Sequence, residues 1–173
     1  AAQRMQVLIN DLLSYSRTGI QEAKFEKTDL STIIEKVEDD LKEELEDKHL
    51  NIEINEICEV NIIPFQFRQL IYNIISNSIK FAKADVPLAI KVTCKIAKGE
   101  SFNFDRLLDN VNYCHIRISD NGIGFEQEFS NKIFEVFQRL HGRNEYSGTG
   151  IGLAIVKKIV DNHEGFIRAT GNL

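Results

Sequence analysis

"SGTGIGLAIVKKIV", residues 147–160, places three glycines at alternate positions and continues directly into an apolar stretch with helical spacing. This arrangement fits a phosphate cradle, a close-packed turn or a dinucleotide fingerprint, because glycine lets the backbone approach a ligand or another segment closely. A dinucleotide fingerprint follows a strand and opens a βαβ unit. Residues 138–147 are mostly polar and resemble a lid rather than a strand, so that interpretation fails. The segment predicts an anion-binding turn at the start of a helix.

The composition limits what the protein can bind. Its 173 residues, of which 43% are hydrophobic and 27% charged, suit one globular domain with an appendage. A net charge of −5 makes nucleic acid and anionic membrane surfaces unexpected partners, so any anion site must be local.

The three cysteines are far apart in the sequence and lack C-x-x-C spacing. This distribution argues against a disulfide framework or a zinc site and favours a reducing cytoplasm. Cys94 and Cys114 share strand parity with apolar neighbours, so both are predicted to act as small core residues.

The chain divides into a short leading helix and one larger unit. Residues 1–16 carry apolar side chains at steps of four and three residues, which is the seam of a coiled coil or bundle. The only predicted boundary lies near residues 17–24. Beyond it, helices predicted near 30–45, 65–82 and 149–163 are interleaved with short strands. The pattern predicts an α/β (α+β) two-layer sandwich, in which three helices cover a mixed, mainly antiparallel sheet of about five strands.

Alternating stretches identify the strands of this sheet. "LAIKVTCKI" and "NYCHIRIS" are predicted to pair, with a long connection over residues 97–110 between them. "FIRAT", residues 166–170, predicts a last strand, and we expect the carboxyl edge of the sheet to be incomplete.

The helix "FRQLIYNIISNSIKFAK" carries an unusual polar stripe. Asn73, Asn77 and Lys80 are spaced four and three residues apart, which places them within roughly 60° of one helix face. Apolar residues cover the opposite side. One interpretation is an ordinary solvated stripe. The other is a functional site, because an amide oxygen can ligate Mg²⁺ and a lysine can neutralise phosphate.

A second candidate site follows the strand that ends in "ISDNGIGF". Asp120 lies at the strand exit, and Gly122 and Gly124 follow at spacings that allow close backbone approach. The sequence also fits a simple tight turn. A buried Asp facing an adenine amino group would instead make a charge-assisted hydrogen bond worth roughly 1.5 to 3 kcal/mol.

Together these segments resemble the catalytic ATP-binding domain of two-component sensor histidine kinases, which belongs to a wider family with gyrase, Hsp90 and MutL. "YNIISNSIKFAK" resembles the N box, "DNGIGF" the first glycine box, "IFEVFQRL" the F box and "GTGIGLAIVKKIV" the second glycine box. The lid wording "FQRLHGRNEYSGTGIGLA" is most similar to phytochrome-type and PAS-linked kinases. The resemblance implies a Bergerat-type fold, with residues 1–20 as the end of a dimerisation and phosphotransfer helix and residues 21–173 as the catalytic domain, its last strand truncated.

The resemblance also implies roles for individual residues. Asn77 would ligate the Mg²⁺ that bridges the ATP phosphates, Asn73 would lie beside those phosphates and Lys80 would contact them. Phe81 would pack near the adenine. Arg139 would stabilise the transferring phosphate, which makes Asn73, Lys80 and Arg139 the implied catalytic residues.

Glycine-rich segments would complete the nucleotide site. Asp120 would accept a hydrogen bond from the adenine amino group, and residues 138–149 would form the ATP lid. The remaining implied ATP-binding positions are Gly122, Gly124, Gly148, Thr149, Gly150, Gly152 and Leu153.

The implied activity is transfer of the ATP γ-phosphate to a histidine upstream of residue 1, followed by relay to an aspartate of a response regulator receiver domain. None of the four histidines stands in the context of a phosphoacceptor, so we expect no autophosphorylation by this chain alone. The implied partners are the phosphotransfer and sensor domains of the same protein, in a cytoplasmic homodimer, without nucleic acid.

Three alternatives remain at this point. A gyrase-type ATPase carries a glutamate as water-activating base at the first N-box position, where this chain has Asn73. A serine kinase of the anti-sigma type would leave the leading helix unexplained. A pseudokinase would only pair with another protein through residues 1–16.

Overall fold

The computed structural model describes residues 9, 12–13, 24–47, 50–102, 104–140 and 148–172. The strands are β1 (Glu26–Asp29), β2 (Asn51–Asn55), β3 (Glu59–Ile62), β4 (Ala89–Lys98) and β5 (Asn112–Asp120). The helices are α1 (Leu30–Asp40), α2 (Lys42–Asp47), α3 (Pro64–Lys80) and α4 (Gly152–Asn162). Single 3₁₀ turns occupy Gly99–Phe102, Gln127–Phe129 and Lys132–Phe134. The predicted sandwich of about five strands and three main helices is confirmed.

The leading helix is described only in part. Ile9, Leu12 and Leu13 are helical and exposed, while the seam residues Ala1, Met5, Leu8 and Tyr15 lie outside the described residues. In the described part of the chain, no helix combines the length and apolar character needed to cross a bilayer.

The strands pair in two groups. β1 pairs with β3 in antiparallel fashion, and β2, β4 and β5 form a three-stranded sheet in that order. β2 runs parallel to β4, whereas β4 and β5 are antiparallel and bring Asp120 opposite Ile90. The predicted pairing of the two long alternating stretches is therefore confirmed.

The predicted strand over residues 166–170 is wrong. This segment has no strand pairing, and the side chain of Gln127 bonds it instead: Nε2 donates to the Ala169 carbonyl at 3.3 Å, and Oε1 accepts from the Gly171 N–H at 3.0 Å. Its alternation reflects the packing of Ile167 against the core rather than a ladder.

The apolar faces of α1, α3 and α4 form the core against the sheet. Asp29 caps α1, since its Oδ1 accepts from the Ser31 N–H at 2.9 Å. The single helix predicted near residues 30–45 is interrupted at Leu41, although Leu41 and Leu45 are both buried. α3 begins at Pro64, where a missing N–H costs nothing. α3 packs against both other helices, which places it centrally.

The cysteine prediction is corrected by the fold. Cys58 and Cys94 are joined as a disulfide with a Cα–Cα distance of 6.0 Å, and Cys114 Sγ lies 3.2 Å from Cys94 Sγ. Sequence separation was misleading because β4 and β5 pair and the β2–β3 connection reaches β4, where the Cys94 N–H donates to the Glu56 carbonyl at 3.2 Å. Cys94 is a core residue as predicted, but Cys114 is exposed.

Candidate functional site

The polar stripe on α3 is not an ordinary solvated face. Asn73, Asn77 and Lys80 are all half-buried. The opposite side of α3 contributes Phe67, Leu70, Ile71 and Ile75 to the core. The stripe is therefore partly covered, which favours the functional interpretation over a solvent-facing helix surface.

Asn73 carries an unsatisfied hydrogen-bond donor. Its Oδ1 accepts from Gln69 Nε2 at 3.4 Å. Within the residues that the structure describes, its Nδ2 is the buried side-chain polar atom that has no hydrogen-bond partner. Such an orphan costs about 1–3 kcal/mol, which an acceptor on a bound ligand would recover. Asn73 faces the start of α4, where a Cβ added to Gly152 would lie 3.6 Å from Oδ1.

Lys80 and Arg139 form a cationic end of the site. Burial, and then the nearby positive charge of Arg139, lower the pKa of Lys80. The Lys80 ammonium lies 4.5 Å from the centre of the Phe81 ring. A Cβ on Gly148 would lie 2.5 Å from Lys80 Nζ, so a side chain at position 148 would collide with the lysine ammonium. Two adjacent cations with hindered solvation favour an anion between them.

Asp120 is the anionic group of the candidate site. Its Oδ2 accepts from the Ser78 hydroxyl at 2.8 Å and its Oδ1 accepts from the Gly122 N–H at 2.9 Å. Asp120 itself is exposed, whereas the adenine interpretation considered a buried carboxylate. Two protein donors hold the carboxylate in place, and its remaining lone pairs can accept from a ligand.

Ser78 is a site residue that the sequence interpretation missed. It is 4% exposed and lies next to Asn77 on α3. A signal existed, since Ser78 follows Ile71 and Ile75 at helical spacing on the apolar face, where a buried hydroxyl needs a partner.

Gly122 allows two backbone segments to touch. A Cβ at this position would lie 2.7 Å from the Phe81 carbonyl oxygen and 2.8 Å from Asp120 Oδ1. The next residue, Ile123, donates its N–H to the same Phe81 oxygen at 2.9 Å. Gly124 has φ of 70°, a conformation that favours glycine. The first glycine segment, "DNGIGF", thus packs directly against the carboxyl end of α3 beside Asp120.

The second glycine segment leads into α4 and is hydrogen bonded to the aromatic segment that precedes the lid. The Phe137 N–H donates to the Gly150 carbonyl at 2.9 Å. Gly150 has φ of 76°, and a Cβ there would lie 2.8 Å from the Gln138 carbonyl oxygen. Thr149 is half-buried, and Leu153 packs against the core. Of the predicted lid, residues 141–147 lie outside the described part of the chain.

The aromatic segment "IFEVFQRL" before the lid has little regular helical structure. Only Lys132–Phe134 forms a 3₁₀ turn, and Phe137 is exposed with φ of 65°. A positive φ at a non-glycine residue ends regular helix locally.

The candidate site therefore combines two chemically different sets of groups around α3. Lys80 and Arg139, with the amides of Asn73 and Asn77, suit an anion, whereas Asp120 with Ser78 suits a hydrogen-bond donor. A ligand that combines a polyanion with a donor-bearing ring, as a nucleotide does, matches both sets.

Comparison with known proteins places this geometry in context. Residues 63–172 match the family model described as histidine kinase-, DNA gyrase B-, and HSP90-like ATPase. The chain is 38% identical over 168 residues to the phytochrome-like protein Cph1 of Synechocystis sp., covering 97% of this chain and 21% of that protein. The chain thus spans about a fifth of the length of this relative.

Two solved structures share the fold. Full-length ShkA in complex with AMPPNP matches with a TM-score of 0.73 and 22% identity, over 96% of this chain and 32% of that chain. The histidine kinase ThkA in complex with the response regulator protein TrrA matches with a TM-score of 0.64 and 19% identity, over 98% of this chain and 45% of that chain.

Proposed function

Because the chain belongs to the family of histidine kinase-, DNA gyrase B- and HSP90-like ATPases, we propose that it is the ATP-binding catalytic domain of a sensor histidine kinase. In this proposal it transfers the γ-phosphate of ATP to a histidine on another domain of the same protein. The phosphate then passes to an aspartate of a response regulator. The similarity to Cph1 along 97% of this chain supports this assignment over the other branches of the family.

The adenine end of the proposed site is Asp120. Its carboxylate accepts from the exocyclic amino group of adenine while the Ser78 and Gly122 donors keep it oriented. Phe81, which ends α3 beside this carboxylate, packs near the base. Gly122 and Gly124 let the first glycine segment run close to the purine.

The phosphate end is the α3 stripe with Arg139. The orphan Nδ2 of Asn73 donates to a phosphate oxygen, and Lys80 neutralises phosphate charge. Arg139 stabilises the transferring phosphoryl group. The returning segment, through Gly148, Thr149, Gly150, Gly152 and Leu153, shapes the wall beside these phosphates.

A magnesium ion fits the donor set. An amide oxygen is a hard, uncharged ligand of the kind Mg²⁺ accepts alongside substrate phosphates, and half-buried Asn77 lies between Asn73 and Lys80 on the stripe. When bound, the ion supplies further neutralisation of the phosphate charge.

The observation that carries the proposal is the position of α3. One helix presents the amide and lysine stripe and also, through Ser78, fixes the carboxylate of Asp120 at 2.8 Å. Both ends of an ATP molecule are therefore recognised from a single rigid element, which suits a reaction that depends mainly on positioning.

Asn73 argues for a kinase rather than a hydrolase. An amide cannot accept a proton from water in the way a glutamate can, so steady-state ATP hydrolysis is expected to be slow. The phosphoacceptor is then a histidine of a phosphotransfer domain in the same protein.

The proposed partners follow from the same role. They are the phosphotransfer and sensor domains of the parent protein, a second copy of that protein in a homodimer, and a receiver domain. The pairing of ThkA with TrrA supports the last of these. The net charge of −5 supports a domain that acts on protein partners rather than one that binds nucleic acid.

Two measurements on the purified chain test the proposal. Calorimetric titration with ATP should give binding that strengthens with Mg²⁺, and γ-labelled ATP should leave the chain itself unlabelled. Adding the separately expressed phosphotransfer domain of the same protein should place label on its histidine. Rapid multiple-turnover phosphate release without protein label would instead support a gyrase-type ATPase, and an absence of Mg²⁺-dependent ATP binding would support an interaction-only module.

A further inference from the structure

The three cysteines of the chain converge on one point away from the candidate nucleotide site. Cys58 lies in the β2–β3 connection, Cys94 in β4 and Cys114 in β5. Their three sulfur atoms all lie within 4.8 Å of one another. Three distant segments therefore contribute one sulfur each to a single cluster.

The cluster contains a third sulfur atom in addition to the two that form the disulfide. Cys58 and Cys94 are bonded to each other, yet Cys114 Sγ lies 3.2 Å from Cys94 Sγ. Strand pairing explains this, because Cys94 is opposite Ile116 and Cys114 is opposite Ile96, so both cysteines project from the same face as diagonal neighbours. A third thiol at this distance is unnecessary for a covalent cross-link.

The burial of the three residues is graded. Cys94 is buried, Cys58 is half-buried and Cys114 is exposed. The cluster is thus closed on the side of the core and open to solvent beside Cys114. A small ion can enter from that side, and a fourth coordination position faces water.

The spacing suits a thiophilic metal ion. Zinc–thiolate bonds of about 2.3 Å place the sulfurs of a tetrahedral site about 3.8 Å apart. The distances present here, 3.2 Å between Cys94 and Cys114 and at most 4.8 Å within the group, bracket that separation. Once the disulfide is reduced, side-chain rotation alone can bring the sulfurs to it.

We propose that Cys58, Cys94 and Cys114 form, in the reduced protein, a three-thiolate binding site for one soft metal ion, Zn²⁺ or Cu⁺. The Cys58–Cys94 disulfide is the oxidised form of the same site. Thiolates select these two ions among common biological metals, and the ion cross-links β4 and β5 to the β2–β3 connection.

Conversion of the disulfide form to the metal-bound form requires a reductant and releases protons. Reduction of the disulfide consumes two electrons and two protons from a dithiol reductant, which itself becomes a disulfide. Metal binding then displaces the protons of the three thiols. Oxidation by a thiol oxidant reverses the sequence and releases the ion.

The test begins with anaerobically reduced, reductant-free protein. Co²⁺ serves as a spectroscopic probe, because thiolate coordination produces charge-transfer absorption, and Zn²⁺ and Cu⁺ are titrated in competition with chromophoric chelators. We expect one equivalent of metal, with affinity lowered at least tenfold by Cys114→Ser. His115→Ala is the matched control, since His115 adjoins Cys114 but points to the other face of β5, where it packs against Phe102 at 5.2 Å.

The Cys114→Ser variant decides the outcome because position 114 is exposed and tolerates serine without loss of folding. Equal metal affinity in wild type and Cys114→Ser, or no stoichiometric binding by reduced wild type, would overturn the proposal. Diamide, a thiol oxidant, should release the bound ion and yield a Cys58–Cys94 disulfide with Cys114 open to alkylation, as read by peptide mass spectrometry. Retention of the ion after oxidation would also overturn it. None of these readouts depends on ATP.

Discussion

Ser78 donates a hydrogen bond of 2.8 Å to Asp120 across 42 residues of sequence. This contact joins the last turn of α3 to the end of β5. The carboxylate is therefore oriented by the same helix that holds the amide stripe. The geometry of the site depends on one buried hydroxyl.

Replacing Ser78 with alanine should weaken ATP binding by about threefold to tenfold, because Asp120 loses a neutral donor worth roughly 0.5–1.5 kcal/mol. Calorimetric titration of the variant measures the change. Ser76→Ala is the matched control on the same helix and should retain wild-type affinity. Equal weakening by both variants would mean that serine loss acts through the helix and not through Asp120.

Replacing Asp120 with alanine should weaken adenine nucleotide binding by about tenfold or more, since a charge-assisted hydrogen bond is worth roughly 1.5–3 kcal/mol. Competition by inorganic triphosphate should change little, because the phosphate end is intact. A folded Asp120→Ala protein with unchanged ATP affinity would remove this residue from the site.

Replacing Asn77 with alanine should abolish most of the Mg²⁺ dependence of ATP binding, because the amide oxygen is the proposed protein ligand of the ion. Titrations with and without EDTA measure that dependence. Affinity in EDTA should be the same as for the wild-type protein. If the variant responded to Mg²⁺ as the wild type does, a different ligand would hold the ion.

Replacing Gly122 with alanine should destabilise the fold by about 1–3 kcal/mol, because the new methyl group would lie 2.7 Å from a backbone oxygen. Urea unfolding at constant pH measures this change. Gly152→Ala is the comparison, since its Cβ would meet Asn73 Oδ1 at an ordinary 3.6 Å. Equal stability of the two variants would contradict the packing described for Phe81.

Lowering the pH should destabilise the protein through His163. Its Nδ1 hydrogen bonds with the Ile159 carbonyl at 2.7 Å and its Nε2 accepts from the Ile63 N–H at 3.0 Å, so the ring must be neutral. Phe25 and Phe67 pack edge-on against it. Burial lowers the pKa of His163 and outweighs the opposing effect of the Ile159 bond.

The sign of this effect follows from linkage. A folded-state pKa below the unfolded value of about 6.5 means that the contribution is complete above that pH and is lost as pH falls through the folded value. The free energy of unfolding of the wild type should therefore decrease between pH 7.5 and pH 5. The decrease should be smaller in His163→Asn. Parallel pH profiles for the two proteins would rule out His163 as the group responsible.

Local pattern explains the parts of the fold that could be predicted. The helix Pro64–Lys80 and the paired strands Ala89–Lys98 and Asn112–Asp120 follow from apolar periodicity, which acts within each element. Asn73, Asn77 and Lys80 could be grouped because helix geometry alone places them on one face. The remaining proposed site positions rest on the resemblance of the four boxes.

What could not be predicted depends on contacts between distant segments. The cysteine cluster requires knowledge of strand register, since Cys94 and Cys114 become neighbours only when β4 and β5 pair. Ser78 acquires its role from Asp120, which is remote in sequence. The alternation in residues 166–170 resembled a strand because it records burial on one side, while hydrogen bonding to Gln127 is invisible in a periodic pattern.

The bond between the Phe137 N–H and the Gly150 carbonyl joins the two ends of the stretch that runs from residue 138 to residue 149. The entropy of closing such a stretch increases by only about 0.6 kcal/mol for each doubling of its length. Segments of other lengths and compositions can therefore be exchanged between these two anchors while α4 keeps its register. Changes in this stretch can thus be tolerated without disturbing the helix that follows it.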